Sequence, residues 1–394
     1  PLQQMKAVRF ASLWDGTTVI PDALVIVDGQ RIVRVERGGR DVPAGTDVID
    51  LRRYVGIPGL IDLHTHITYY WDRAPGTRPL GQPRRRPAVT VFLAQENARR
   101  TLETGVTTVR DLGAQSETDF AMRDLIATGA MTGPRIFAAG QGISARSGAA
   151  PDVAAMESAV DERVKSGSDW IKVYASRGSF DSVDTTQTIG FAELKAIVDR
   201  AHALGRKVAV HSYGPSGVRD AVRAGADSVE HGIDLDDETI AEMAKRGTVW
   251  VPTIDHNRYY VEAKDEYGFA DAAIGPLQDY IARNLASAAR AWKAGVRLGM
   301  GSDAVFSMFG QNTRELEWFV KAGMTPEQAL KSATLTGAEL LGQEKLLGRV
   351  QPGFAADLVA VDGDPLKDIA VLRNGVRWVM KDGTVAVDRR ASPR

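Results

Sequence analysis

The chain contains no cysteine among its 394 residues. Disulfides and cysteine-ligated zinc are therefore excluded, while the compartment stays open. Neither sign of charge is in excess: 49 Lys and Arg against 50 Asp and Glu leave a net charge of -1. That balance offers no electrostatic footprint for nucleic acid or an anionic membrane surface. No run approaches the roughly 20 consecutive apolar residues that a membrane span needs. Neither a nucleic-acid nor a membrane partner is expected. Histidine is scarce, at six residues. The chain opens Pro1-Leu2-Gln3-Gln4 without methionine, which fits a cytoplasmic protein or one exported after removal of an N-terminal signal.

What is present is an ordinary globular composition, 44% hydrophobic and 25% charged, long enough for one large domain and a small accessory one. The 39 glycines are spread along the chain, which suits many strand-to-helix turns. Through the middle, one theme recurs: an apolar strand, a polar loop, an amphipathic helix. Strands are expected at 59–64, 105–112, 134–139, 170–175, 207–213, 228–231, 249–254 and 297–302. Residues 191–204 carry apolar positions at helical spacing and stop at Gly205, a C-terminal helix signal. Thr325-Pro326-Glu327 opens another helix with an N-cap and a first-turn proline. This alternation predicts an α/β fold, a (β/α)8 TIM-type barrel over 58–347. A doubly wound open sheet is the alternative, and the glycine-rich phosphate loop it calls for is not evident.

The ends alternate in the manner of strands instead. Residues 23–35 contain the hairpin signal Asp28-Gly29, and 356–363 and 376–385 repeat the pattern. Residues 1–57 and 348–394 are expected to combine into one small composite β-sandwich. Two separate edge sheets are the other reading, with neither half stable alone.

The chemistry lies at the strand ends. Val55-Gly56-Ile57-Pro58-Gly59-Leu60-Ile61-Asp62-Leu63 reads as a buried strand tipped by His64-Thr65-His66. Alternate strand residues share a face, so both imidazoles aim into one space. Lys172 sits inside the apolar run Asp169-Trp170-Ile171-Lys172-Val173-Tyr174, where a charged amine is costly. His211, His231 and Asp303 end the fifth, sixth and eighth expected strands. Strand C-termini surround the active site of such a barrel, so these residues together point to a metal site.

These motifs resemble the amidohydrolase superfamily, in its binuclear-metal branch with a carboxylated lysine. The tail Gly348-Arg349-Val350-Gln351-Pro352-Gly353-Phe354-Ala355-Ala356-Asp357-Leu358-Val359 is similar to that family's C-terminal signature. The resemblance implies that His64 and His66 bind the more buried ion and that Lys172, as a CO2-derived carbamate, bridges two ions. It further implies that His211 and His231 bind the second ion, and that Asp303 binds the first and handles protons. Burial lowers a lysine pKa, which leaves the amine free to attack CO2. Imidazole and carboxylate ligands accept zinc, the expected metal. The mononuclear deaminase pattern His-x-x-Glu is missing, because the chain reads His211-Ser212-Tyr213-Gly214.

Around Lys172, His211 and Val229-Glu230-His231-Gly232-Ile233 the chain is similar to Xaa-Pro and Xaa-Arg dipeptidases, related carboxypeptidases and ochratoxin-hydrolysing amidases, with imidazolonepropionase-like proteins as neighbours. The implied reaction is cleavage of an N-acyl amino acid or dipeptide-like amide, ochratoxin A included. Hydrolysis of a cyclic amide or lactone is the alternative. Tyr213, two residues past His211, is placed to donate to the substrate carbonyl, or else it packs in the wall. Tyr174 and His256 are expected to touch substrate, with a surface position the other reading for His256. Arg177 and the run Arg84-Arg85-Arg86 are expected to meet a carboxylate or to lie on a solvated face. Tyr69-Tyr70-Trp71 suits an apolar wall or rim packing. After the third strand, Ala139-Gly140-Gln141-Gly142-Ile143-Ser144-Ala145-Arg146-Ser147-Gly148 departs from relatives that carry a longer loop: it is either trimmed or partly missing. A homo-oligomer is expected.

Overall fold

The computed structural model describes residues 5–39, 41–145, 152–179 and 182–390. The end of the loop after the third strand, 146–151, lies outside the described residues. Both chain ends contribute to one seven-stranded sheet. From the N-terminal side come β1 (Lys6–Trp14), β2 (Val19–Asp28), β3 (Arg31–Arg37) and β4 (Asp47–Pro58). The hairpin at Asp28-Gly29 forms as expected, with Gly29 at φ +54°, a conformation glycine reaches without strain.

The parallel part of the fold follows, with β5 (Leu60–Thr65), β6 (Val106–Asp111), β7 (Arg135–Ala138), β8 (Ile143–Ser144), β9 (Trp170–Tyr174), β10 (Lys207–His211), β11 (Ser228–Glu230) and β12 (Val249–Val251). The tail returns as β13 (Leu358–Val361), β14 (Val376–Lys381) and β15 (Thr384–Asp388). Antiparallel pairing of β13 with β4 joins the two ends, so they do not form separate edge sheets. Phe10, Leu51, Trp378 and Met380 from both ends share one buried apolar cluster. Each large side chain so buried contributes about 1.5–3 kcal/mol relative to exposure.

Helices alternate with the parallel strands: α1 (Pro87–Glu103), α2 (Thr118–Ala127), α3 (Val153–Ser166), α4 (Phe191–Ala203), α5 (Pro215–Ala224), α6 (Asp237–Arg246) and α7 (Ile254–Glu262). In α4, Leu194, Ile197, Val198 and Ala201 are buried, the i, i+3, i+4, i+7 stripe of a core-facing helix. The expected helix start at Thr325 forms as a capping box with Gln328. Parallel strands flanked by helices, beside one sheet built from both ends, give the α/β architecture that the sequence predicts, with the parallel strands of the described residues in a three-stranded sheet (β5-β6-β7) and a five-stranded sheet (β12-β11-β10-β9-β8).

Two details depart from expectation. The apolar run 55–63 is two strands rather than one, broken at Gly59. A Cβ there would sit 2.2 Å from Thr107 Oγ1 and 2.8 Å from Asp357 Cβ, so the backbone turns where only glycine fits. The eighth expected strand, 297–302, forms no continuous ladder. Isolated bridges pair Leu298 with Trp250 and Ala304 with Thr65. Bonds such as Leu63 N–H to the Met300 carbonyl (2.8 Å) and Asp303 N–H to the His64 carbonyl (2.7 Å) hold the rest. Gly299 and Gly301 let this segment approach Leu63, Val251 and His64 too closely for a Cβ.

Candidate metal centre

The strand register explains why the ligand-type residues converge. β9 pairs with β10 so that Lys172 lies opposite Ala209 and Tyr174 opposite His211. β10 pairs with β11 so that His211 lies opposite Glu230. Beyond the strand tips the backbone turns sharply: His231 has φ +64°, Thr253 φ +49° and Asp303 φ +50°. Three non-glycine residues in the left-handed region at one rim store backbone strain, a pattern that clusters at functional sites.

These tips enclose a cavity of about 280 Å3. His64, His66, Lys172, His211, Tyr213, His231 and Asp303 line it, as do Tyr174 and His256, and Tyr69 and Ser179 complete the wall. Sequence reasoning singled out all of these except Ser179. His256 is buried, not a surface loop residue.

Arg177 does not line the cavity and is exposed. Ser176 faces inward, its hydroxyl accepting from the Tyr213 N–H at 2.9 Å, and alternation turns the next side chain outward. Arg84 and Arg85 line an adjoining pocket of about 320 Å3 that shares Tyr69 with the first. Arg85 is ion-paired with Asp72.

Asp303 is the hub. Its Oδ1 lies 3.2 Å from His66 Nε2 and 3.5 Å from His64 Nε2. Its Oδ2 lies 3.4 Å from His256 Nε2 and 4.0 Å from His231 Nδ1. Ligand atoms of His64, His231 and Asp303 all lie within 4.8 Å of one another. Lys172 Nζ is 3.4 Å from His64 Nε2.

The opposite ring nitrogens are already committed. His66 Nδ1 is 2.9 Å from the Gly113 carbonyl, and His256 Nδ1 is 2.8 Å from the Asp303 carbonyl. His64 Nδ1 is 2.9 Å from Glu230 Oε2. Carbonyls and carboxylates only accept, so each Nδ1 carries the proton and each ring turns its Nε2 inward, as a lone pair on His64 and His256, whose pKa values burial lowers, while Asp303 raises that of His66 against burial. His231 Nδ1 meets Thr253 Oγ1 at 2.6 Å. His211 Nε2 is buried without a hydrogen-bond partner.

Electrostatics follow from this crowding. Burial pushes His64 down to about 4, with the Lys172 charge adding to it, and holds His211 and His231 well below the ordinary imidazole value. Burial lowers the Lys172 amine to about 8, against the upward pull of Glu230 and Asp303. Burial alone would raise Asp303, but His256, His64 and His66 hold it well below the usual carboxylate range. Neutral imidazoles, a partly neutral buried amine and an ionised carboxylate make a donor set suited to a divalent cation.

Several residues that organise the site were missed. Asp62 accepts from the Ser302 N–H (2.9 Å), the Ser302 hydroxyl (2.6 Å) and Asn312 Nδ2 (3.0 Å), tying β5 to the Asp303 segment. Glu315 accepts from the N–H groups of Ile254 (3.0 Å) and Asp255 (2.8 Å) at the start of the helix that carries His256. Glu230 and Arg110 are fully buried beneath His64. The signal for the last two was partial: each is a charged residue within an expected strand, though β6 and β11 are not apolar runs like that around Lys172.

The family model described as "Amidohydrolase family" matches residues 55–386. Ochratoxinase from Aspergillus niger is 28% identical, covering 94% of this chain and 83% of its own length. A solved Xaa-Pro dipeptidase with methionine bound in its active site is 30% identical, with a TM-score of 0.88 over 97% of this chain and 99% of that one. A prolidase complexed with N-methylphosphonate-L-proline is 27% identical, with a TM-score of 0.87 over 98% and 100%. No helix among the described residues is long and apolar enough to cross a membrane.

Proposed function

Because this chain belongs to the amidohydrolase family, and is thus a metal-dependent hydrolase of amide-type bonds, we propose that it cleaves N-acyl amino acids or dipeptide-like amides, with ochratoxin A in its substrate class. The observation that carries this reading is the ring of inward lone pairs around Asp303, with Lys172 beside it. Likeness to ochratoxinase and to dipeptidases along nearly the whole chain supports the amino-acid leaving group.

In this proposal two divalent ions, zinc by donor type, are held by His64, His66, His211, His231 and Asp303. Lys172, neutral in a useful fraction near pH 8, would add CO2 through Nζ with loss of a proton, and the carbamate would supply anionic oxygens to the ions. When bound, the ions supply Lewis acidity that acidifies a water and polarises a carbonyl.

The protein's own groups do the rest. Asp303 accepts the proton of the attacking water and delivers it to the leaving nitrogen as the C–N bond breaks. The Tyr213 hydroxyl donates to the carbonyl oxygen as charge builds there. Tyr174 and His256 wall the substrate space. We also propose a homo-oligomer. Phe92, 70% exposed on α1 with Val89 42% exposed one turn earlier, supports it, and light scattering checks it.

A mass-spectrometric hydrolysis screen of zinc-loaded protein tests the reading. The panel holds N-acyl amino acids, dipeptides, ochratoxin A, lactones and cyclic amides, with Lys172→Ala as control. Release of a free amino acid, lost in the control, is the expected result. Turnover of lactones or cyclic amides alone overturns the substrate class and leaves the metal centre standing.

A further inference from the structure

Beneath the cavity a second polar group is buried, and metal binding alone does not call for it. Arg110, in β6, is wholly enclosed with its guanidinium 4.5 Å over the Trp170 ring. It donates from Nε to the Leu63 carbonyl at 2.6 Å, from Nη1 to Ser228 Oγ at 2.8 Å and from Nη2 to Glu230 Oε1 at 2.9 Å. The Ser228 hydroxyl donates to the same Glu230 oxygen at 2.6 Å. That leaves Glu230 Oε2 with one partner, His64 Nδ1, at 2.9 Å.

A buried ion pair is poor value for stability, since an apolar pair of similar volume serves as well or better. What the pair does here is directional. Arg110 and Ser228 saturate one carboxylate oxygen and fix the plane of the other against His64. Among the described residues, His64 is the cavity histidine whose Nδ1 lies within hydrogen-bond distance of a side-chain carboxylate. His66 and His256 meet neutral carbonyls, and His231 meets a hydroxyl. An imidazole hydrogen-bonded to a carboxylate is the more strongly donating ligand, and its tautomer and ring orientation are set.

We propose that Glu230, locked by Arg110, is a positioning residue that holds His64 in its Nδ1–H tautomer and makes it the strongest imidazole ligand of the metal centre. The proposal rests on the metal reading above. Its test uses binding and spectroscopy rather than hydrolysis, so failure of the substrate class leaves it untouched.

Glu230→Gln weakens the interaction, while Glu230→Asp keeps the charge facing Arg110 and withdraws the carboxylate from His64. Asp357→Asn serves as comparator, because Asp357 is a buried carboxylate bound to Arg135 and Thr107 away from the cavity. The expected result is a fall of about 10–100-fold in affinity for Zn2+ or Co2+, read by chelator competition, in both Glu230 variants. Asp357→Asn leaves the affinity unchanged. Folding is monitored by circular dichroism, and Glu230→Asp decides if Glu230→Gln does not fold. In the wild-type chain, 15N NMR of the histidine rings is expected to show a proton on His64 Nδ1, with and without metal. Affinities within twofold of wild type, or an Nε2–H tautomer for His64 in the metal-free chain, overturn the proposal, and the second reading needs no variant at all.

Discussion

His66 and Asp303 face each other at 3.2 Å with an acceptor on each side. The far nitrogen of His66 donates to the Gly113 carbonyl, so the near one offers a lone pair to a carboxylate. Two acceptors at that distance repel unless a cation lies between them. In the bare chain Asp303 outweighs burial and raises His66, which favours a proton in that place. A divalent ion would serve both residues at once.

Asp303→Asn keeps the shape of the hub and removes its charge. Activity on the best amide substrate is expected to fall by about 10²–10⁴-fold, the usual loss when a general base is removed. Metal retention after dialysis is expected to drop in parallel. In the wild type, saturating metal raises the stability by RT ln(1 + [L]/Kd), about 2.7 kcal/mol at 100 times Kd. Calorimetry with and without chelator reads this term, and a Tm indifferent to chelator contradicts the metal assignment.

Lys172 lies inside β9 with His64 as its hydrogen-bonding neighbour. Lys172→Ala removes the amine that, in the proposed centre, would carry the carbamate. Metal content by elemental analysis is expected to fall from two ions per chain towards one or none, with amide hydrolysis lost. A 13C-labelled bicarbonate experiment should show a carbamate signal in the wild type and none in the variant. Full metal content in Lys172→Ala would mean that the lysine is a packing residue.

Much of this centre was legible because each ligand type sits where its chemistry conflicts with its surroundings. His64, Lys172, His211 and His231 interrupt or end apolar strands, and Asp303 follows the glycine-rich run 299–301. The combination of both ends in one sheet was legible from period-two alternation around Asp28-Gly29 and in the tail. Long-range pairing was not legible. Glu230 reads as the residue before a histidine until Arg110, 120 positions away, is seen to hold it. Asp62 reads as one carboxylate in an apolar run until Ser302 and Asn312 close on it. The break at Gly59 depends on Thr107 and Asp357, which no local pattern reveals. Of the two readings for Arg177, its exposure favours the solvated face, because the inward turn of Ser176 decides the side on which its neighbour emerges.

Glu315 gives a pH signature remote from the substrate. Burial pushes its carboxyl up to about 8, against the lowering effect of the Asp255 and Ile254 N–H groups. A carboxyl raised in the folded state binds its proton more tightly there than in the unfolded chain. Its contribution is therefore fully present below the ordinary value of 4.5 and is lost as pH rises through about 8. Glu315→Gln removes this dependence. The wild-type minus variant difference in unfolding free energy is expected to decline by on the order of a few kcal/mol between pH 4.5 and 8.5. Urea denaturation across that range measures it, and a flat difference shows that Glu315 is ionised throughout.

Tyr213 separates chemistry from packing. Its ring lies 5.0 Å from that of His231 and 4.9 Å from that of Tyr280, centre to centre, and its side chain lines the cavity. Its hydroxyl is 3.5 Å from the Ser179 carbonyl, a long contact that a substrate oxygen can replace. Burial holds the phenol well above its ordinary pKa, so it stays a donor across the working range. Tyr213→Phe preserves both ring contacts and removes only the O–H. If the hydroxyl meets the developing oxyanion, kcat falls by about 10²–10³-fold with KM little changed, as when an oxyanion-hole donor is deleted. If the residue is only wall, kcat stays within a few fold, and Tyr213→Ala rather than Tyr213→Phe brings the loss, through the cavity it opens. Steady-state kinetics on one amide substrate with both variants distinguishes the two.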